Sequence, residues 1–270
     1  MRIKKILVPI NYSDCSINAL RYAGQLAKQF EAKLLIIHAL DNGNILTSKM
    51  VEEQKQRHIE KISAILDNEP NVSSIINDIL ITEKTPKDAI YWAIDEFYIN
   101  LIIMGTEGAH RPFDELVGSF TYHVISNSKL PLLTIPENCP YIPPHKIGFG
   151  VDYKLLEHTS TLDILLDLVY AYNSKLEIFH VKTSDTRKNT LEIYESTKLD
   201  DYFSGVNHEF QTIEHSSIMS GLSSYINKNK PDLMAIMPRK YNFFKWLWHD
   251  SVSKELVQHL PLPILTIPEK

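Results

Sequence analysis

The chain has 270 residues and carries 28 Lys and Arg against 33 Asp and Glu, a formal net charge of −5, so no basic surplus speaks for a nucleic-acid partner. Hydrophobic residues at 44% and charged residues at 23% belong to a globular protein with a core rather than a disordered chain, and no apolar run approaches the roughly 18–20 residues that span a bilayer. The length suits one large domain or two of ordinary size. Two cysteines, Cys15 and Cys139, without metal-like spacing, and an opening apolar stretch too short for a secretory leader, set the expectation of a reducing, cytoplasmic setting.

Ile6–Ile10 is a short apolar run and reads as a strand. Ala19, Leu20, Ala23, Leu26, Ala27 and Phe30 then recur at helical spacing, with Ser13 and Asp14 before them as capping residues. Leu34–Leu40 is a second strand. Lys49–Leu66 is a polar helix with Val51, Ile59, Ile62, Ile65 and Leu66 on its apolar face, and Ile75–Ile81 is a third strand. Pro86 suits the first turn of a helix that continues through Ala89, Ile90, Ala93, Ile94 and Phe97. Leu101–Met104 is apolar throughout, as in a parallel sheet covered on both faces. A loop, a helix from about Gly118 and a fifth strand at Pro131–Ile135 close the unit.

Pro136–Pro144 holds four prolines in nine residues, which makes a stiff linker and places a boundary near residues 138–145. Beyond it the pattern returns. Lys146-Ile147-Gly148-Phe149-Gly150 answers Lys5-Ile6-Leu7-Val8-Pro9, and Ser174–His180 answers Ala32–His38. Asp232–Met237 answers Asn100–Met104, and Leu262–Pro268 answers Leu130–Pro136. Four matches in order signify a duplicated domain, with units at 1–138 and 145–270. Strand–helix alternation predicts an α/β fold of two tandem, doubly wound, five-stranded parallel-sheet domains, whose ligand sites lie outside the carboxyl ends of the strands.

The stretch after the fourth strand carries the most specific signal. Gly105, Gly108 and Gly118-Ser119 form a G-x2-G-x9-G-S pattern. Glycines there let the backbone turn and approach a ligand, and Gly118-Ser119 opens a helix whose free amides favour an anion. The hydroxyls of Ser119 and Thr121 add hydrogen-bonding capacity toward phosphate. Neither the Walker pattern nor the dinucleotide fingerprint is present.

These residues, together with the Val8-Pro9 opening and the closing Pro131–Pro136 strand, resemble the universal stress protein family in its tandem form. The resemblance implies an adenine-nucleotide-binding protein of the stress response, taking ATP (or AMP or ADP) with Mg2+, in which Gly105, Gly108, Gly118, Ser119, Phe120 and Thr121 hold phosphate and ribose. It places Pro9 and Asn11 against the nucleoside, Ser13 toward the phosphates, and Ala39 and Met104 by the adenine. It further implies that the last strands of the two domains pair in an intramolecular pseudo-dimer, and that whole chains form homodimers. Asn11 stands where the family has aspartate; it offers a ribose hydroxyl an acceptor without charge.

In the second copy Pro238, Tyr241 and Asp250 stand where the first has glycines, and a carboxylate at that helix start repels phosphate. The expectation is a degenerate second domain. Its replacement stretch is aromatic, with Tyr241, Phe243, Phe244, Trp246 and Trp248, which suits a packed loop or a surface for a protein partner. His38 and His180 occupy equivalent strand ends as structural or pocket residues. His208 and His215 lack metal-binding spacing, and no catalytic triad is visible. The leading reading is a nucleotide-binding signalling module without a catalytic residue. Its rivals are a slow ATPase using Glu107 or His110, and a nucleotide-independent interaction protein using residues 241–248.

Overall fold

The computed structural model describes residues 3–40, 47–106, 123–124, 128–153, 159–183, 190–237 and 262–268. The chain divides into two compact units, and along the backbone the division falls between Tyr141 and Ile142. The first unit contains β1 (Lys5–Pro9), α1 (Asp14–Phe30), β2 (Lys33–Ala39), α2 (Ser48–Asp67), α3 (Pro70–Ser73), β3 (Ile76–Thr82), α4 (Pro86–Phe97), β4 (Leu101–Thr106) and β5 (Leu132–Pro136). Its strands lie in the order β3-β2-β1-β4-β5, every neighbouring pair parallel.

The elements form where local chemistry and burial agree. Ser13 caps α1, its Oγ accepting from the Ser16 N–H, and the helix buries Ala19, Leu20, Ala23, Leu26, Ala27 and Phe30. Thr85 caps α4 in the same way, with Pro86 in the first turn, where its missing N–H is not needed. Ile6, Leu7 and Val8 of β1 and Leu101, Ile102 and Ile103 of β4 are buried, as a strand covered on both faces requires. The short α3 escapes a search for long periodic segments. It brings Val72 so close to α1 that a Cβ on Gly24 would lie 2.7 Å from Val72 Cγ2.

The second unit contains β6 (Lys146–Val151), a 3-10 turn (Thr159–Leu162), α5 (Asp163–Tyr172), β7 (Lys175–Lys182), α6 (Thr190–Phe203), β8 (His208–Glu214), α7 (Ile218–Asn229), β9 (Leu233–Ile236) and β10 (Ile264–Thr266). Its order is β8-β7-β6-β9-β10, again parallel. The two units share strand registers at particular positions. Lys5 faces Lys33 as Lys146 faces Lys175, and Ile6 faces Leu101 as Ile147 faces Leu233. Asn100 Oδ1 accepts from the Lys5 N–H at 2.9 Å, and Asp232 Oδ2 accepts from the Lys146 N–H at 2.8 Å. Among the described residues, the non-glycine positions with positive φ also pair off: Tyr12 (66°) with Tyr153 (49°), Glu31 (52°) with Asn173 (49°), and Tyr98 (53°) with Lys230 (48°).

The start of the linker is pinned to the first unit. Asn18 Nδ2 donates to the carbonyls of Pro136 and Cys139, both at 2.9 Å, and Tyr141 meets Tyr22 edge-on at 4.9 Å between centroids. No described helix is long and apolar enough to cross a membrane. Gly108, Gly118, Ser119, Phe120 and Thr121, and the aromatic stretch 241–248, lie outside the described residues.

Candidate functional site

In the first unit β1 has β2 on one side and β4 on the other, so the sheet's winding reverses there. In open α/β sheets a reversal of this kind leaves a crevice at the carboxyl ends of the strands. The start of α1 and the end of β4 meet at this point. A Cβ on Gly105 would lie 2.3 Å from Cys15 O, 2.4 Å from Cys15 C and 2.9 Å from Ser16 N. The expectation that Gly105 turns the chain is corrected: β4 continues through it to Thr106, with Gly105 facing Ile135 on β5. What its missing side chain admits is the first turn of α1.

The loop from β1 to α1 is closed on itself. The Ile10 N–H donates to Ile37 O at 2.9 Å. Asn11 Oδ1 accepts from the Ser13 N–H at 3.1 Å and from the Ser13 hydroxyl at 2.5 Å. A backbone N–H can only donate, so that contact identifies the amide oxygen. Ser13 Oγ accepts in turn from the Ser16 N–H at 3.3 Å. The expectation for Asn11 is therefore refined: its oxygen is engaged within the loop, and what remains for a ligand is the Nδ2 amide, a donor. Ser13, expected to face phosphate, has its hydroxyl engaged as both donor and acceptor.

Asn11→Asp tests this geometry. Aspartate keeps an oxygen for Ser13, and its charge lies beside the N-terminus of α1, a favourable placement of about 0.3–1 kcal/mol. Urea unfolding is expected to show stability unchanged or raised within that range. A clear loss would contradict the loop geometry.

Pro9, Ala39 and Gly105 are partly exposed at the ends of β1, β2 and β4, whereas Met104 is 5% exposed and offers a ligand little surface. A hollow of about 420 Å³ lies along α2, lined by Lys49, Glu52, Glu53, Gln56, Arg57 and Glu60. His208 Nε2 contacts Asp200 Oδ1 at 2.9 Å, and the described residues contain no cluster of three or more His, Cys, Asp or Glu suited to a metal.

Sequence reasoning missed a cluster beside this loop. Tyr12 Oη hydrogen-bonds His58 Nδ1 at 2.6 Å. The ring of His58 stacks on that of His38, centroids 4.5 Å apart and planes at 24°. His38 Nδ1 donates to Ile10 O at 2.9 Å, and Tyr12 tilts against His38 at 4.6 Å. Lys61 Nζ sits 3.7 Å from the centre of the Tyr12 ring, a cation–π contact. Burial pushes the Tyr12 phenol up to about 12, so it remains neutral. The second unit repeats the core of this arrangement: Tyr153 meets His180 at 5.0 Å, and His180 Nδ1 donates to Val151 O at 2.9 Å. Asp152 there holds the place of Asn11. The signal lay in the repeat itself, because aligning the two first strands sets Tyr12 on Tyr153 and Asn11 on Asp152.

Comparison with known proteins agrees with this architecture. Residues 2–136 match the profile of the universal stress protein family. A universal stress protein of Methanocaldococcus jannaschii is 29% identical over 142 residues, covering 49% of this chain and 81% of its own. A universal stress protein A homolog of Haemophilus influenzae is 28% identical over 138 residues, covering 49% and 96%. The crystal structure of a universal stress protein from Archaeoglobus fulgidus covers all of both chains, with a TM-score of 0.75 at 14% identity, a likeness of fold.

Proposed function

Since the chain belongs to the universal stress protein family, a stress-response class, we propose that its first unit binds an adenine nucleotide, ATP with Mg2+, at the carboxyl ends of β1, β2 and β4. The observation that carries this reading is the contact at Gly105, where the first turn of α1 abuts β4 at the reversal of the sheet. That contact sets the loop after β1 and the start of α1 beside the end of β4. The groups there suit the ligand in part: the N-terminus of α1 favours negative charge, the Asn11 amide donates, and Pro9 and Ala39 offer partly exposed apolar edges. Mg2+ would arrive held by phosphate oxygens. The role is that of a binding or signalling module, with no residue assigned to catalysis.

Calorimetric titration of ATP with Mg2+ into the wild type and Gly118→Asp tests this. The substitution copies Asp250 of the second unit into the first and sets a carboxylate against the phosphates. The expected result is about one nucleotide per chain in the wild type and at least about tenfold weaker binding in the variant, a difference of about 1.4 kcal/mol. No binding by the wild type would reject the nucleotide reading and move a protein partner to first place.

A further inference from the structure

Tyr12, His38 and His58 come from the β1–α1 loop, β2 and α2, and the nucleotide reading leaves their side chains without a task. Tyr12 adopts φ 66°, a left-handed conformation that a residue with a Cβ avoids. Its ring contacts with His38, His58 and Lys61 accompany that conformation, which Tyr153 of the second unit shares at 49°. The same residue lies between Asn11 and Ser13, so its conformation fixes the Asn11–Ser13 hydrogen bonds and the cap of α1.

Among the described residues, the charges that act on the two histidine rings are cationic. Burial lowers the pKa of His58, and His38, Lys61 and Arg57 lower it further. Burial likewise lowers that of His38, against a rise from its bond to Ile10, and Lys61 adds to the lowering. Carboxylates on the neighbouring elements are engaged elsewhere: Glu83 and Glu52 with Lys55, Glu69 with Arg21, and Asp78 with the Ile79 N–H. Both shifts favour the neutral rings. For a base whose pKa is lowered in the closed form, the open form binds more protons in the window below the ordinary histidine value of about 6.5. The closed form is thus fully favoured above that value and loses its advantage as pH falls through the window. Two stacked imidazolium rings with a lysine beside them then repel one another.

We propose that Tyr12, His38, His58 and Lys61 form a proton-operated latch on the Asn11–Ser13 loop, closed while the rings are neutral and released as they charge. Release frees Tyr12 from its left-handed backbone and unfixes the residues that start α1. The latch stands whether or not the first unit binds a nucleotide. The second unit is a built-in reference: it repeats the Tyr153–His180 pair, but α6 contains no histidine to stack upon it.

The test is a nuclear magnetic resonance titration of the full chain from pH 8 to 5, without nucleotide, following the histidine rings and the backbone amides. The expected result is that His38 and His58 titrate below about 6.5, that the amides of Asn11, Tyr12 and Ser13 shift with the same midpoint, and that those of Asp152 and Tyr153 do not follow it. His58→Gln is expected to lose the loop transition. Tyr12→Gly suits the left-handed backbone and so keeps the fold; its rings are expected to titrate without the loop amides following. Rings that titrate at the ordinary value with the loop amides still, or a wild-type loop transition surviving in either variant, would overturn the proposal.

Discussion

Replacing Gly105 with alanine is expected to destabilise the first unit by about 3 kcal/mol or more, the upper range for over-packing, and to lower its unfolding midpoint by roughly 6–12 °C. The added methyl would lie 2.3 Å from Cys15 O and 2.4 Å from Cys15 C. Those are backbone atoms in the first turn of a helix, so no side chain can rotate away. The turn must back off from β4 as a body, loosening the Ser13 cap and the burial of Cys15, which is 5% exposed. Gly150→Ala in the second unit is the control. Its methyl would approach the tip of the Phe179 ring at 3.3 Å, a much looser approach, and its expected cost is about 1 kcal/mol, the low end for over-packing. Urea unfolding of the two variants compares them directly. A Gly105→Ala chain as stable as Gly150→Ala would mean that α1 stands further from β4 than the structure has it, and the crevice at that junction would lose its basis.

The sheet was legible because its strands announce themselves as short apolar runs and occur twice. Each strand end read from the sequence falls within two or three residues of the observed one, and Pro86 marked the start of α4. The candidate site was legible only where backbone chemistry dictates residue type. Gly105 stood out as a glycine, but its reason was invisible: the neighbour it admits, Cys15, lies ninety positions earlier in the chain. Asn11 was read as an acceptor because nothing in a linear sequence shows that Ser13 already occupies its oxygen. The Tyr12–His38–His58 cluster joins three elements, and periodicity within one element carries no information about side chains meeting across them. Only the repeat of Tyr12 as Tyr153 and His38 as His180 held a trace of it.

The second unit replaces an apolar pair inside the sheet with a polar one, and its energetics yield the other large effect. Leu7 faces Leu35 in the first unit, whereas Gly148 faces Glu177 in the second. A Cβ on Gly148 would lie 2.7 Å from Tyr225 Oη and 2.7 Å from Met234 Sδ, so the glycine opens space that Tyr225 fills. That ring stacks on Phe179 at 3.9 Å, and its hydroxyl donates to Glu177 Oε2 at 2.7 Å. Burial and this hydrogen bond to Glu177 push the Tyr225 phenol far upward, which keeps it a donor. Glu177 is 4% exposed, and its other oxygen faces Lys175 Nζ at 3.3 Å. Tyr225→Phe is expected to destabilise the unit by about 2 kcal/mol, because a buried carboxylate oxygen loses its donor. Glu177→Leu, which restores the first unit's residue, is expected to cost a similar amount by stranding the hydroxyl. The double variant strands neither group, so a double-mutant cycle by urea unfolding is expected to fall short of the summed single effects by at least about 1 kcal/mol. Additive losses would mean that the hydrogen bond contributes nothing and that Glu177 is tolerated because Lys175 and Lys146 neutralise it. Coupling of the expected size would instead make Gly148, Glu177 and Tyr225 a single exchange of core material, in which the glycine makes room for the ring that satisfies the carboxylate.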